Sequence, residues 1–264
     1  MKYGVVFRMF LQDALAYRLE GFVWFLLDIL PPVVMIALWL AAFKDRSVIG
    51  GYTLGSMLLY YFAMGAFSTL LTGHPEWGAS YEIRMGEYSR LLLKPISPNL
   101  YYFIGQIAWK IVRLLFLSPI VIVGVALLFG KLEWPALQPH HLLGLAAAIP
   151  LSYVMQFCFK LGLGYLAFWV SEPSGFYGLF GTTLAFLGGA ILPLDLMPAG
   201  LLRASAWLPF HYFLFFPVQL LLGRVSAGEV VLGLAASAVW CAVSIGFMTL
   251  IFRLGIRDYA AVGG

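Results

Sequence analysis

YEIRMGEYSRLLLKPISP, from Tyr81 to Pro98, is the stretch that orders the rest of the chain. Tyr81, Met85, Tyr88 and Leu92 recur at i, i+4, i+7 and i+11. That spacing predicts one apolar helical face, with Glu82, Arg84, Glu87 and Arg90 elsewhere on the surface. Pro95 and Pro98 end the pattern, so an amphipathic helix is expected at about 78–93. The sequence turns apolar on both sides, over about 51–72 before it and about 106–130 after it. Each run is long enough to cross a bilayer, which takes about 20 residues. A short charged helix between two such runs reads as a surface element joining two membrane crossings.

Working outward, further apolar runs lie at about 21–43, 142–170, 175–197 and 229–252, which makes six spans. Composition agrees: of 264 residues, 62% are hydrophobic and 11% charged, against about 25% charged in soluble domains. Soluble, disordered and collagen-like classes are excluded. The net charge of +4 is too small and too scattered to imply nucleic acid. Residues 1–20 place Phe7, Phe10, Leu11, Ala14 and Tyr17 on one face and Lys2, Arg8, Gln12, Asp13 and Glu20 on the other. They are expected to form an amphipathic interfacial helix. Pro31-Pro32 should kink the first span, and Gly51 and Gly55 open the second with a close-packing spacing. Residues 193–223 are apolar but broken at Pro193, Pro198 and Pro209, with Asp195 and His211 among them. Each piece is too short to span, so a re-entrant or interfacial segment is expected. The fold class is an all-α membrane protein: a connecting helix at 1–20, then a single six-span domain at 21–264.

Lys and Arg set the orientation. Ten lie in the N-terminal segment, the 74–113 region and the C-terminus, and five in the loops of the other side. The bias puts both termini in the cytoplasm. It also makes the 78–93 helix cytoplasmic.

Enzyme signatures do not occur. There is no GxxxxGK[ST], no HExxH and no GxSxG. His140-His141 are adjacent and share no helix face, which makes a poor metal site. Cys158 and Cys241 lie in apolar runs without a CxxC and read as two buried, inert thiols. Asp28 reads as a carboxylate near the inner headgroups. Lys110 reads as a cation snorkelling to the inner interface; Lys160, deeper in its span, reads as either snorkelling there or making a polar contact inside the bundle. No catalytic residue, cofactor or metal of the chain's own is expected.

The run from Tyr81 to Pro98 resembles the loop between the second and third spans of ABC-2 type transport permeases, an "I-R-x-G … L-L-x-P-x-S-P" pattern. Pro193 to Pro198, followed by WLPFHY at 207–212, resembles the same family's late segment. The layout is closest to the short six-span subfamily without a fused ATPase. The resemblance implies a coupling helix whose Glu82, Arg84, Glu87 and Arg90 face a cytoplasmic ATPase. It implies two P-loop ATPase subunits that carry ATP and Mg²⁺, and a second permease, identical or not. Spans 1, 2 and 5 would meet that second permease. The segment bearing Pro193, Asp195, Pro198, Pro209 and His211 would cap the outer end of the pathway. The implied function is export of an amphiphilic or lipid-like molecule, such as a drug or cationic amphiphile, across a bacterial inner membrane. The competing reading is a secondary carrier or channel driven by an ion gradient. Carriers of that kind often show an internal repeat, and the two halves of this chain show none.

Overall fold

Polar caps and prolines set where the helices start. A computed structural model describes residues 2–128 and 130–259, with the side chain of Asp28 also outside the described set. Helix α1 covers Lys2–Ala16 and α2 covers Arg18–Ala42. A hairpin of β1, Val48–Ile49, and β2, Tyr52–Thr53, turns through Gly50 and Gly51 at φ +56° and +78°. Two consecutive left-handed residues are what a tight hairpin turn needs, and glycine supplies them. Thr53 caps α3, Leu54–Leu71, by accepting from the Ser56 N–H. Helices α4, Pro75–Arg84, and α5, Tyr88–Leu92, follow. Then come α6, Pro98–Leu128, and α7, Pro139–Gly164, with a 3₁₀ turn at Tyr165–Phe168. Helix α8 is Ser174–Leu187 and α9 is Ala199–Ser205. A π-turn at His211–Phe215 runs into α10, Phe216–Leu221. Ser226 and Glu229 form a capping box for α11, Ala227–Asp258.

Helix α3 is the centre. None of its 18 residues is exposed. Tyr60, Tyr61, Met57 and Met64 fill the core against Tyr212, Phe213 and Phe216. Among the described residues, five helices are long and apolar enough to cross a membrane: α2, α3 together with α4, α6, α7 with its 3₁₀ turn, and α11. Their outer faces stay apolar and open, as at Leu30 and Val33 on α2 and Ile122 and Leu127 on α6. That is the surface a lipid-facing bundle presents.

Several expectations change. The run at 175–197 is not one helix: α8 stops at Leu187. At about 1.5 Å per residue it reaches about 21 Å of a core about 30 Å thick. The chain continues without helix past Gly189, whose φ is +79°. The exposed backbone finds donors on α3: Tyr60 Oη donates to the Gly189 carbonyl at 2.7 Å and Tyr61 Oη to that of Ile191 at 2.9 Å. Gly51 lies in the hairpin turn rather than in a span, so the expected Gly51–Gly55 helix pair does not form. Pro31 and Pro32, where a kink is expected, both lie inside α2. Cys158 and Cys241 are buried and unpaired with each other. His141 is a capping residue, accepting the Gln138 N–H on Nδ1 at 3.0 Å and meeting the Val225 carbonyl at 2.8 Å through Nε2.

Candidate functional site

The predicted helix at 78–93 is two helices. Gly86, at φ +72°, breaks it between α4 and α5. The break resets the helical phase, so the predicted apolar face is not the buried one. Ala79, Ser80 and Ile83 on α4 and Tyr88 and Leu91 on α5 turn inward. Tyr81, Met85 and Leu92 turn outward, joined by Leu93, which is 87% exposed. The four charged residues divide. The Tyr102 hydroxyl donates to Glu82 at 2.6 Å, which turns that carboxylate towards α6. Arg84 reaches back to Glu172 at 2.7 Å and to the Ser171 carbonyl at 3.1 Å. A hydrogen bond from Ser174 and the nearby Arg84 guanidinium hold the Glu172 carboxyl below its ordinary range. Glu87 and Arg90 pair with each other at 2.8 Å on the open surface. Burial pushes the Tyr88 phenol up, which keeps it neutral beneath that surface.

Helix α1 belongs to the same end of the bundle. Its Phe10 ring packs on Tyr101 and over Gly105, and Lys2 Nζ donates to the Pro95 carbonyl at 2.8 Å. The end of α11 arrives there too, where Trp169 donates to Asp258 at 3.0 Å and Tyr88 meets the Tyr259 ring. The amphipathic pattern of 1–20 is therefore expressed as packing on α6, with Tyr17 left outside.

Beneath α4 lies a polar layer that sequence reading missed. Lys110 and Lys160 do not snorkel: both are buried. They donate to the Thr72 carbonyl at 2.7 Å and the Gly73 carbonyl at 2.9 Å. Lys160 Nζ also lies 4.0 Å from Glu76, whose carboxylate meets His74 at 3.0 Å. A backbone turn between two helices leaves carbonyls without helical partners. The position of that turn, after a long apolar run, was the available signal.

At the opposite end, Asp195 gathers Tyr52, Gln219 and Arg224, at 2.8, 3.3 and 3.5 Å. The Arg224 guanidinium lies 3.6 Å over the Tyr52 ring. Pro193 precedes a 3₁₀ turn at Leu194–Leu196, and Pro198 precedes α9. His211 opens the π-turn and meets Ser205 at 3.3 Å. Pro209 lies in the chain between α9 and that turn. The predicted re-entrant residues thus divide, Asp195 into the polar cap and His211 into the deeper turn. Both line a cavity of about 590 Å³, together with Phe215, Phe216 and Leu232.

Comparison with known proteins adds one finding. The model of a family described as ABC-2 family transporter protein matches residues 29–263. No curated protein and no solved structure matches the chain.

Proposed function

Because the chain belongs to the ABC-2 family of transporter proteins, and so is a multi-pass membrane subunit of a transporter rather than an enzyme, we propose that it is the permease of an ATP-driven exporter. ATP and Mg²⁺ belong to two separate P-loop ATPase subunits. Both termini and α4–α5 lie in the cytoplasm of a bacterial cell, and the chain crosses the inner membrane six times. The fifth of these crossings, in chain order, is α8 with the irregular chain behind it. Support comes from its two ends: Glu172 at its start is bound to Arg84, and Asp195 past its end is bound to Tyr52.

The observation that carries the reading is the outward face of α4–α5. On and beside α4–α5, Tyr81, Met85, Leu92 and Leu93 are exposed, with the exposed Glu87–Arg90 pair between them in sequence. An apolar patch with a charged pair, at the bundle end that holds most of the chain's Lys and Arg, suits a protein partner better than water. A second permease would cover α2 and α8, whose Val33, Val34, Leu179 and Phe186 stay open. Helix α3 has no exposed residue to offer, so span 2 is left out of that interface. The aromatic outer cavity favours an amphiphilic or lipid-like cargo.

The test is the double variant Glu87→Arg with Arg90→Glu, made in the host cell and extracted with its partners. The swap keeps the internal ion pair and reverses the polarity shown to the ATPase. ATP hydrolysis that co-purifies with the wild type should be lost from the variant. Equal ATPase recovery with both would remove the docking assignment, and none with either would remove the exporter reading.

A further inference from the structure

Gln106-Ile-Ala-Trp-Lys110 on α6 and Gln156-Phe-Cys-Phe-Lys160 on α7 share one spacing, a glutamine and then a lysine four residues on. Residues four apart lie on one helix face. Each helix therefore offers an amide and an ammonium side by side. Both pairs close on the same object, the linker 72–74 between α3 and α4.

The grip covers all three linker residues. From α6, Lys110 Nζ donates to the Thr72 carbonyl at 2.7 Å, and Gln106 Oε1 accepts the His74 N–H at 3.1 Å. From α7, Lys160 Nζ donates to the Gly73 carbonyl at 2.9 Å, and Gln156 Oε1 accepts the Thr72 hydroxyl at 3.2 Å. A Cβ at Gly73 would lie 2.5 Å from Gln106 Oε1, so a larger residue there would push that amide aside. Backbone groups in apolar surroundings need partners, but neutral side chains would have met that need. Two buried cations make the hold stronger, because charge-assisted hydrogen bonds are about twice as strong as neutral ones.

Gln156 has a second arm. Its Nε2 donates to the Phe213 carbonyl at 3.2 Å. One turn earlier on α7, the Ser152 hydroxyl donates to the Tyr212 carbonyl at 2.7 Å. Both carbonyls belong to the π-turn of the re-entrant segment. One buried amide thus holds the α3–α4 linker with its oxygen and the re-entrant turn with its nitrogen.

We propose that Gln106, Lys110, Gln156 and Lys160 are positioning residues of a double clamp that ties α4 to the re-entrant turn, with Gln156 as the shared link. Its purpose rests on the transport reading, in which α4 receives the push from the ATPase. Its test does not.

The test is amide hydrogen exchange on the full chain in lipid nanodiscs, without nucleotide or partner. Lys160→Met removes the donor to the Gly73 carbonyl and the cation beside Glu76, both on the α4 side of the clamp. It should speed exchange over 72–84 by roughly tenfold, the factor for one lost charge-assisted hydrogen bond. It should also speed exchange over 211–221, and leave 227–258 unchanged. Lys160→Arg, which keeps the donor, should restore both segments. Gln156→Leu, which leaves both cations in place, should free 72–84 and 211–221 together. Faster exchange confined to 72–84 in Lys160→Met would overturn the clamp as a link. Faster exchange across 227–258 as well would make these residues general supports and overturn it equally. Failure of any ATPase to associate would sink the transport reading and leave these exchange profiles as they are.

Discussion

Gly164→Ala measures how tightly α4 is seated on the bundle. Gly164 ends α7, and a Cβ there would lie 2.8 Å from the Glu76 Cα and 2.9 Å from the Glu76 carbonyl oxygen. Ordinary contact begins at 3.4 Å, so the overlap is 3.4 − 2.8 = 0.6 Å against backbone, which has no rotamer to yield. The first turn of α4 must move, and it is fixed by the buried Glu76 and by Lys160. Overpacking of this kind costs about 1–3 kcal/mol. Alanine returns up to about 1 kcal/mol of helix propensity, and less at a helix end. The net expectation is a loss of about 1–2 kcal/mol. Gly246→Ala is the control. It lies inside α11 with nothing within 4 Å of its would-be Cβ, and should gain about 0.5–1 kcal/mol. Thermal unfolding in one detergent, followed by tryptophan fluorescence, should move the two midpoints in opposite directions, each by about 2–4 °C per kcal/mol. A Gly164→Ala midpoint at or above that of Gly246→Ala would refute the seating of α4 on α7.

Three further substitutions probe buried hydroxyls and a helix cap. Tyr60→Phe removes the donor to the buried Gly189 carbonyl and should lower stability by about 1–3 kcal/mol. Tyr153→Phe, which loses a buried hydroxyl with no hydrogen-bond partner among the described residues, should be near neutral; denaturation midpoints compare the two. Ser226→Ala removes the cap of α11 and should cost about 0.5–2 kcal/mol, read as faster amide exchange in its first turn with the far end unchanged.

Long apolar periodicity was legible. Five of the expected spans correspond to helices of spanning length, because lipid selects for continuous apolar length; the helix expected at 1–20 is α1 at Lys2–Ala16, with Arg18–Glu20 already in α2. The α4–α5 region was legible as a charged surface element but not in its phase. Gly86 offered the hint: a glycine inside an apolar-periodic stretch can end a helix, and everything after it then rotates. Tyr88, after the break, is buried, and Tyr81 and Met85, before it, face outward where unbroken periodicity put all three on one inner face. The snorkelling reading of Lys110 and Lys160 failed for a different reason, and the alternative for Lys160, a polar contact inside the bundle, is the one the structure bears out. Snorkelling treats a lysine in a span as a problem for its own helix to solve, whereas here each lysine solves a problem of another. The 14-residue α8 was hidden because hydropathy does not distinguish helix from irregular chain that stays apolar.

These misreadings share a physical origin. A bilayer offers no water to an unpaired backbone group, so each break in a spanning segment must recruit donors or acceptors from its neighbours. Among the described residues three such breaks have their recruits. The linker 72–74 takes Gln106, Lys110, Gln156 and Lys160. The chain after α8 takes Tyr60 and Tyr61. The π-turn takes Ser152 and the second arm of Gln156. A polar side chain inside a span is thus read better as the partner of a broken segment elsewhere than as a group handling cargo. Two of the three breaks share Gln156, so they are not independent features. The break beside α4 and the one at the π-turn are one polar structure, through which any displacement of α4 would have to pass.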